Sequence, residues 1–250
     1  MYFLSLLAIF KNETMNLKIW LDHYIWQGVE HFYLIDNGST DNPLTILQKY
    51  IDKGIVSYFY RPKTFHQLEH YRFIFDNEKL KTKTRWLIIA DLDEFFYGLK
   101  TRISTILTKF IQYDVIYCNW LMFGSSGLIE HPPDIRVSLI HRDDGFHPNK
   151  KYIFKPASIA SSHQIFIHHI QQPDNKNNNK HLISLNANPF IHLNHYPIQS
   201  KQYFEKVKMS RGDVNTAISN NIRNWAYFKE YDQNKNTCDH YLKDMVLLNT

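Results

Sequence analysis

The first half of the chain alternates short, continuous apolar runs with segments whose apolar residues recur at helical spacing. This alternation restricts it to an α/β architecture with a mainly parallel sheet flanked by helices. Tyr2 to Ile9 is an apolar run interrupted only by Ser5, as suits a strand buried on both faces. Leu17, Trp20, Leu21, Tyr24 and Ile25 then fall on one face of a helix that Gly28 is placed to end. His31 to Ile35 predicts a second strand. Asn42 and Pro43 predict a cap and first-turn proline for a helix that buries Leu44, Leu47 and Ile51 and stops at Gly54. Ile55 to Tyr60 predicts a third strand, Gln67 to Lys79 a helix, and Trp86 to Ala90 a fourth strand that runs straight into Asp91. In sheets of this kind ligands bind beyond the carboxyl ends of the strands.

The second half is less regular. A helix at Ile103 to Ile111 and a strand at Asp114 to Asn119 continue the pattern, which Gly124, Gly127, Pro132 and Pro133 then break. Pro173 to Lys180 has almost nothing apolar to bury and predicts a mobile surface loop. Ile191 to Tyr196 predicts a strand and Tyr203 to Met209 a helix. The stretch carrying Trp225, Tyr227, Phe228, Tyr231 and Tyr241 predicts helix, with its aromatics in the core.

With 44% hydrophobic residues in 250, the chain has the material for a full-sized core. A net charge of +5 from scattered Lys and Arg forms no basic stripe, which argues against nucleic acid and favours small anionic ligands. The apolar start has no basic leader or small-residue cleavage site before Lys11-Asn12-Glu13, and it is too short to span a bilayer. It predicts a buried strand and no membrane anchor. Cys118 and Cys238 are isolated, so neither a disulfide framework nor a zinc pair is expected. Asn12-Glu13-Thr14 and Asn37-Gly38-Ser39 match the glycosylation pattern, but they fall in loops expected to line a ligand site. A glycan there would block it, which favours a cytoplasmic location.

The sharpest local feature is Asp91-Leu92-Asp93-Glu94. Residues two apart in extended chain point the same way, so two carboxylates would face one ligand, and their repulsion calls for a cation. Mg²⁺ or Mn²⁺ takes such oxygen ligands and bridges them to a diphosphate. Glu13 and the run Asp36 to Asp41 are expected at the same sheet edge. No Gly-x-Gly-x-x-Gly and no Gly-Lys-Ser/Thr loop offers another phosphate cradle. Of His163, His168, His169, His192 and His195, any is a candidate to complete the metal site.

The stretches Ala8 to Glu13, Gly28 to Asn42 and Trp86 to Phe95, with Trp120 to Gly127, Phe154-Lys155-Pro156, Asn194-His195-Tyr196, Gln199-Ser200, Lys208 and Arg211-Gly212, resemble the family 2 and family 92 group of GT-A glycosyltransferases. The resemblance runs in family order over about residues 5 to 212. It implies one GT-A (Rossmann-like) domain, with a nucleotide-sugar-binding half over about 1–119 and an acceptor half with C-terminal helices over about 120–250. It implies transfer of a sugar, from a UDP-sugar, to a hydroxyl of a glycan, protein or lipid-linked acceptor with Mn²⁺ or Mg²⁺. Asp91, Asp93 and His195 are then the metal ligands, with His168 or His169 as rivals to His195. Asp36 is the residue that contacts the base. Glu13, Asn37, Gln67, Arg72, Asp91, Trp120, Gly124, Lys155, Lys208 and Arg211 belong with it in the nucleotide-sugar site. An inverting reaction needs a carboxylate base; of Glu130, Asp143 and Asp144, Asp143 is preferred.

Two other readings compete. A haloacid dehalogenase-like phosphatase would use Asp91 as nucleophile and Asp93 as general acid, but that motif belongs after the first strand and is followed by Thr or Val, not Glu94. A nucleotide-sugar binder that has lost turnover would keep the same residues.

Overall fold

Tyr2–Phe10 (β1) lies inside the sheet because nothing but apolar neighbours suits it: Leu4, Leu6, Ala8 and Phe10 join the core on one face, and Leu7 and Ile9 join the core on the other. The computed structural model describes residues 1–63, 66–171, 181–183, 189–211 and 223–249. In order, β1 is followed by α1 (Thr14–Trp26), β2 (His31–Asp36), α2 (Leu44–Ile51), β3 (Val56–Tyr60), α3 (Gln67–Asn77), α4 (Leu80–Lys83), β4 (Thr84–Ile89), β5 (Glu94–Gly98), α5 (Ile103–Lys109) and β6 (Val115–Met122). Then come α6 (Ile135–Ser138), β7 (His141–Arg142), β8 (Lys150–Phe154), β9 (His181–Ile183), β10 (Ile191–His195), α7 (Lys201–Tyr203), α8 (Trp225–Asp232), β11 (Thr237–Cys238) and α9 (Tyr241–Leu247). A π turn, Phe204–Lys208, continues α7.

Among the described residues the main sheet has nine strands, in the order β3-β2-β1-β4-β8-β6-β10-β5, with β9 also paired to β6. The pairs β3/β2, β2/β1, β1/β4, β6/β9 and β6/β10 are parallel; β4/β8, β8/β6 and β10/β5 are antiparallel. This is the expected α/β class with a mainly parallel sheet, and the sheet runs on through both halves of the chain.

Gly28 ends α1 as expected: its φ of +94° is the left-handed conformation glycine adopts freely, and the Val29 N–H returns to the Tyr24 carbonyl. Asn42 departs from expectation. It sits at φ 55° and offers α2 no side-chain cap; its carbonyl takes the Thr45 N–H instead.

Strands β5 and β8 were not expected. The aromatic run Phe95-Phe96-Tyr97 is wholly buried but pairs with β10, a segment far along the chain, and the two lysines that open β8 disguise it as a loop. The predicted loop at 173–180 lies outside the described residues. Among those residues, no helix is long and apolar enough to cross a membrane.

Candidate functional site

The site begins with α1. Its buried face carries Trp20 and Tyr24, and their polar ends reach the segment that leaves β4: Trp20 Nε1 donates to the carbonyls of Asp91 (3.0 Å) and Glu94 (3.2 Å), and the Tyr24 hydroxyl donates to Glu94 O (2.9 Å). Residues Asp91 to Glu94 form a tight turn closed by Glu94 N–H to Asp91 O and by Asp91 N–H to Glu94 Oε2. The two aspartates therefore do not share the side of an extended strand, as the spacing suggested, and each carboxylate meets its own lysine.

Asp91 Oδ2 accepts from Lys151 Nζ (2.8 Å), a side chain with no exposed surface, which also lies 3.6 Å from Glu94 Oε2. Burial pushes the Glu94 carboxyl well up; Lys151 opposes this, and the charges of Asp91 and Asp93 add to it. Burial thus favours the neutral form of Glu94, while Lys151 makes its shorter contact with Asp91. Asp93 Oδ2 accepts from Lys208 Nζ (2.5 Å), and its Oδ1 lies 3.6 Å from His195 Nε2. Burial opposes ionisation of Asp93, but Lys208 and His195 outweigh it and hold the carboxyl well below the usual range.

These groups open into a cleft of about 260 Å³ at the carboxyl ends of β1 and β4. Of the expected residues it brings together Glu13, Gln67, Asp91, Asp93, Trp120, His168, His195, Lys208 and Arg211. Glu13 is buried between the Arg211 guanidinium and the Tyr203 hydroxyl, so the end of β1 is bolted to the segment after the π turn.

Other expected residues stand outside the lining of this cleft. Asp36 is 1% exposed and both its oxygens are engaged, one by Ser39 N–H and one by the Tyr58 hydroxyl; it shapes the loop after β2. The Asn37 amide is spent on the carbonyls of Arg61 and Lys63. Arg72 holds the carbonyls of His163 and Ile165, and Lys155 reaches the Ile111 carbonyl. Gly124 is needed for space, since a Cβ there would stand 2.6 Å from Lys235. Asp143, the preferred base, pairs with Lys235, and Glu130 and Asp144 are exposed elsewhere. His163 bonds Ser161, His169 stacks on Phe166 and His192 packs on Phe146.

Sequence reasoning missed His147, Asn149, Arg223, Tyr227 and Tyr231 in the lining. The two tyrosines stack on each other with centroids 4.3 Å apart, and they were expected in the core. Their i, i+4 spacing on α8 was the available signal; that this face turns to the cleft depends on long-range packing.

Among the described residues no three His, Cys, Asp or Glu side chains form a group that could hold a metal ion by themselves. The expected trio does not close, because Asp91 is drawn to Lys151. Of that trio Asp93 and His195 stay close, with Asp93 Oδ1 3.6 Å from His195 Nε2, and the other Asp93 oxygen is paired with Lys208. His195 Nδ1 lies 3.3 Å from the Met122 sulfur, and Nε2 faces the Asp93 carboxylate, to which it donates when the ring carries a proton there. With the ring proton on Nδ1 instead, Nε2 and the Asp93 carboxylate would present two lone-pair donors to a cation, with ligand oxygens completing its shell.

The phosphatase reading fails on position, since the Asp-x-Asp turn follows β4, an inner strand between β1 and β8. The sequence matches the model of Glycosyltransferase family 92 over residues 5–237. It is 24% identical over 174 residues to glycosyltransferase family 92 protein At1g27200 of Arabidopsis thaliana, covering 64% of this chain and 30% of that protein, so the chain spans under a third of its relative's length. Among solved structures, TarS 1–349 of S. aureus in complex with UDP overlaps at a TM-score of 0.40 and 15% identity, over 63% of this chain and 47% of that one. HddC from Yersinia pseudotuberculosis overlaps at 0.43 and 10%, over 84% of this chain and all of that one. The match to the family model across nearly the whole sequence shows that the chain belongs to glycosyltransferase family 92.

Proposed function

We propose that the chain transfers a sugar from a nucleotide-sugar donor, a UDP-sugar, to an acceptor hydroxyl. The observation that carries this reading is the meeting, in one cleft at the sheet edge, of the Asp91–Asp93 turn with Lys208, Arg211 and Arg223. Such a site suits an anionic leaving group. As the bond from the sugar to the diphosphate breaks, negative charge grows on the phosphate oxygens, and preorganised cations stabilise it without reorganising. Lys208 and Arg211 come from the segment after β10, and Glu13 and Asp93 hold them in place. The stacked Tyr227–Tyr231 pair offers apolar ring faces on which a sugar or base can lie.

A divalent ion, Mn²⁺ or Mg²⁺, would be held by Asp93 and His195, with Asp91 beside them. When bound it would supply Lewis-acid neutralisation of the leaving diphosphate.

The test is a thermal-shift panel of UDP-, GDP-, CMP- and dTDP-sugars with and without Mn²⁺. At a hundred times its dissociation constant a ligand stabilises by about 2.7 kcal/mol. A shift confined to UDP-sugars supports the reading, and the absence of any shift overturns it. Binding without turnover would mark a chain that keeps the donor site but no longer transfers.

A further inference from the structure

The proposed transfer needs a group that takes the acceptor proton, and the carboxylates of the cleft are already committed. Glu13 answers Arg211, Asp91 answers Lys151 and Asp93 answers Lys208. Three histidines remain, and their hydrogen bonds settle which ring nitrogen carries a lone pair. His147 Nδ1 faces the Asn149 N–H (3.1 Å), which only donates, so the neutral ring has its proton on Nε2. His195 turns Nε2 to Asp93. His168 Nδ1 lies 3.0 Å from the Lys150 carbonyl, which only accepts, so Nδ1 is the protonated nitrogen and Nε2 keeps its lone pair, with no hydrogen-bond partner among the described residues.

The segment that carries His168 is held from several sides. Ile165 and Ile170 form a bridge, Tyr152 donates to the Phe166 carbonyl, the Ile170 N–H bonds the Tyr117 hydroxyl, and Arg72 holds the carbonyls of His163 and Ile165. His168 and His195 pack against the same indole, with ring centroids 5.4 and 4.2 Å from that of Trp120, and both line the cleft that holds Asp93.

We propose that His168 is the catalytic base of the transfer. Its Nε2 takes the proton of the acceptor hydroxyl as that oxygen bonds the anomeric carbon. The bond from this carbon to the diphosphate oxygen breaks, and the electron pair leaves with the nucleoside diphosphate. A single displacement of this kind inverts the anomeric centre. Burial, and then the charge of Lys151, lower the His168 pKa, so the ring is neutral at pH 7; Asp91 and His195 are the other titratable groups that face it. The inference rests on the glycosyltransferase reading above.

The experiment uses the full chain with Mn²⁺ and whichever of UDP-glucose, UDP-galactose and UDP-N-acetylglucosamine stabilises it most, and follows UDP release into water. His168→Ala is expected to lower release by about 100-fold or more, the range a general base contributes. Its donor affinity and Mn²⁺ titration should stay within twofold, and sodium azide, a nucleophile with no proton to lose, should restore release. Histidine ¹⁵N shifts of the free chain should show His168 protonated on Nδ1, a readout independent of turnover. Wild-type release by His168→Ala, failure of azide with donor binding intact, a weakened Mn²⁺ titration, or a proton on Nε2 would each overturn the assignment. Failure of the wild-type chain to bind any of the three donors would instead count against the glycosyltransferase reading.

Discussion

Lys151 Nζ, fully buried on β8, lies 2.8 Å from Asp91 Oδ2 at the end of β4, so a lysine from an antiparallel neighbour sets the first aspartate of the cleft. A buried ion pair contributes little net stability, but removing one partner strands the other. Asp91 is 34% exposed and stays partly solvated, so Lys151→Met is expected to destabilise the fold by about 1–3 kcal/mol. Glu94→Gln should change stability by less than about 1 kcal/mol, because burial already favours the neutral carboxyl and the amide oxygen can keep the hydrogen bond from Asp91 N–H. Urea titration of both variants checks this; equal losses would contradict the assigned protonation.

Trp20→Phe keeps a large ring in the core and deletes the N–H that holds the carbonyls of Asp91 and Glu94. The expected loss is about 1–2 kcal/mol of stability. A larger effect should appear in donor affinity, since the turn is freed on its cleft side. Calorimetry with UDP and Mn²⁺ compares the two, and unchanged affinity would show that α1 does not position the turn.

Asp93→Asn removes the charge that Lys208 and His195 face. Turnover is expected to fall by about 100-fold or more, as when a preorganised electrostatic contact is lost. Circular dichroism should be unchanged, because no core volume is removed. Full activity in this variant, followed as UDP release, would refute the role of the turn.

His23 is buried on α1 with Nε2 2.7 Å from the Phe96 carbonyl, and burial, helped by Arg136, brings its pKa down to about 3. The unfolded chain takes up this proton near pH 6.5 and the folded chain does not, so stability is full above pH 6.5 and falls as the pH drops toward 3. Between pH 6.5 and 5 the loss from His23 is about 2 kcal/mol. His23→Gln should lose less stability than wild type over that interval in urea titrations; equal losses would show that His23 is not the group responsible.

The alternating half of the fold was legible because β1, β2, β3 and β4 are local apolar runs, and each is separated from the next by a helix with its own face. The place of the Asp-x-Asp motif just past β4 was legible for the same reason; its folding into a turn was not. Lys151 was not, since a charged residue in a strand reads as exposed until Asp91 and Glu94 are known to meet it. The partners of Asp36 were not legible either: it stands at the end of its strand, where the Ser39 N–H and the Tyr58 hydroxyl each donate to one of its oxygens. Tyr227 and Tyr231 became visible as lining only once α8 was placed.

The most direct test of the central claim is calorimetric titration of UDP into the wild-type chain and into Lys208→Met, each with Mn²⁺. A saturable one-to-one isotherm for wild type, weakened at least tenfold in the variant, is the predicted result; a tenfold loss corresponds to about 1.4 kcal/mol. No binding to wild type, or equal affinity in both, would contradict a nucleoside diphosphate seated against Lys208 in the cleft.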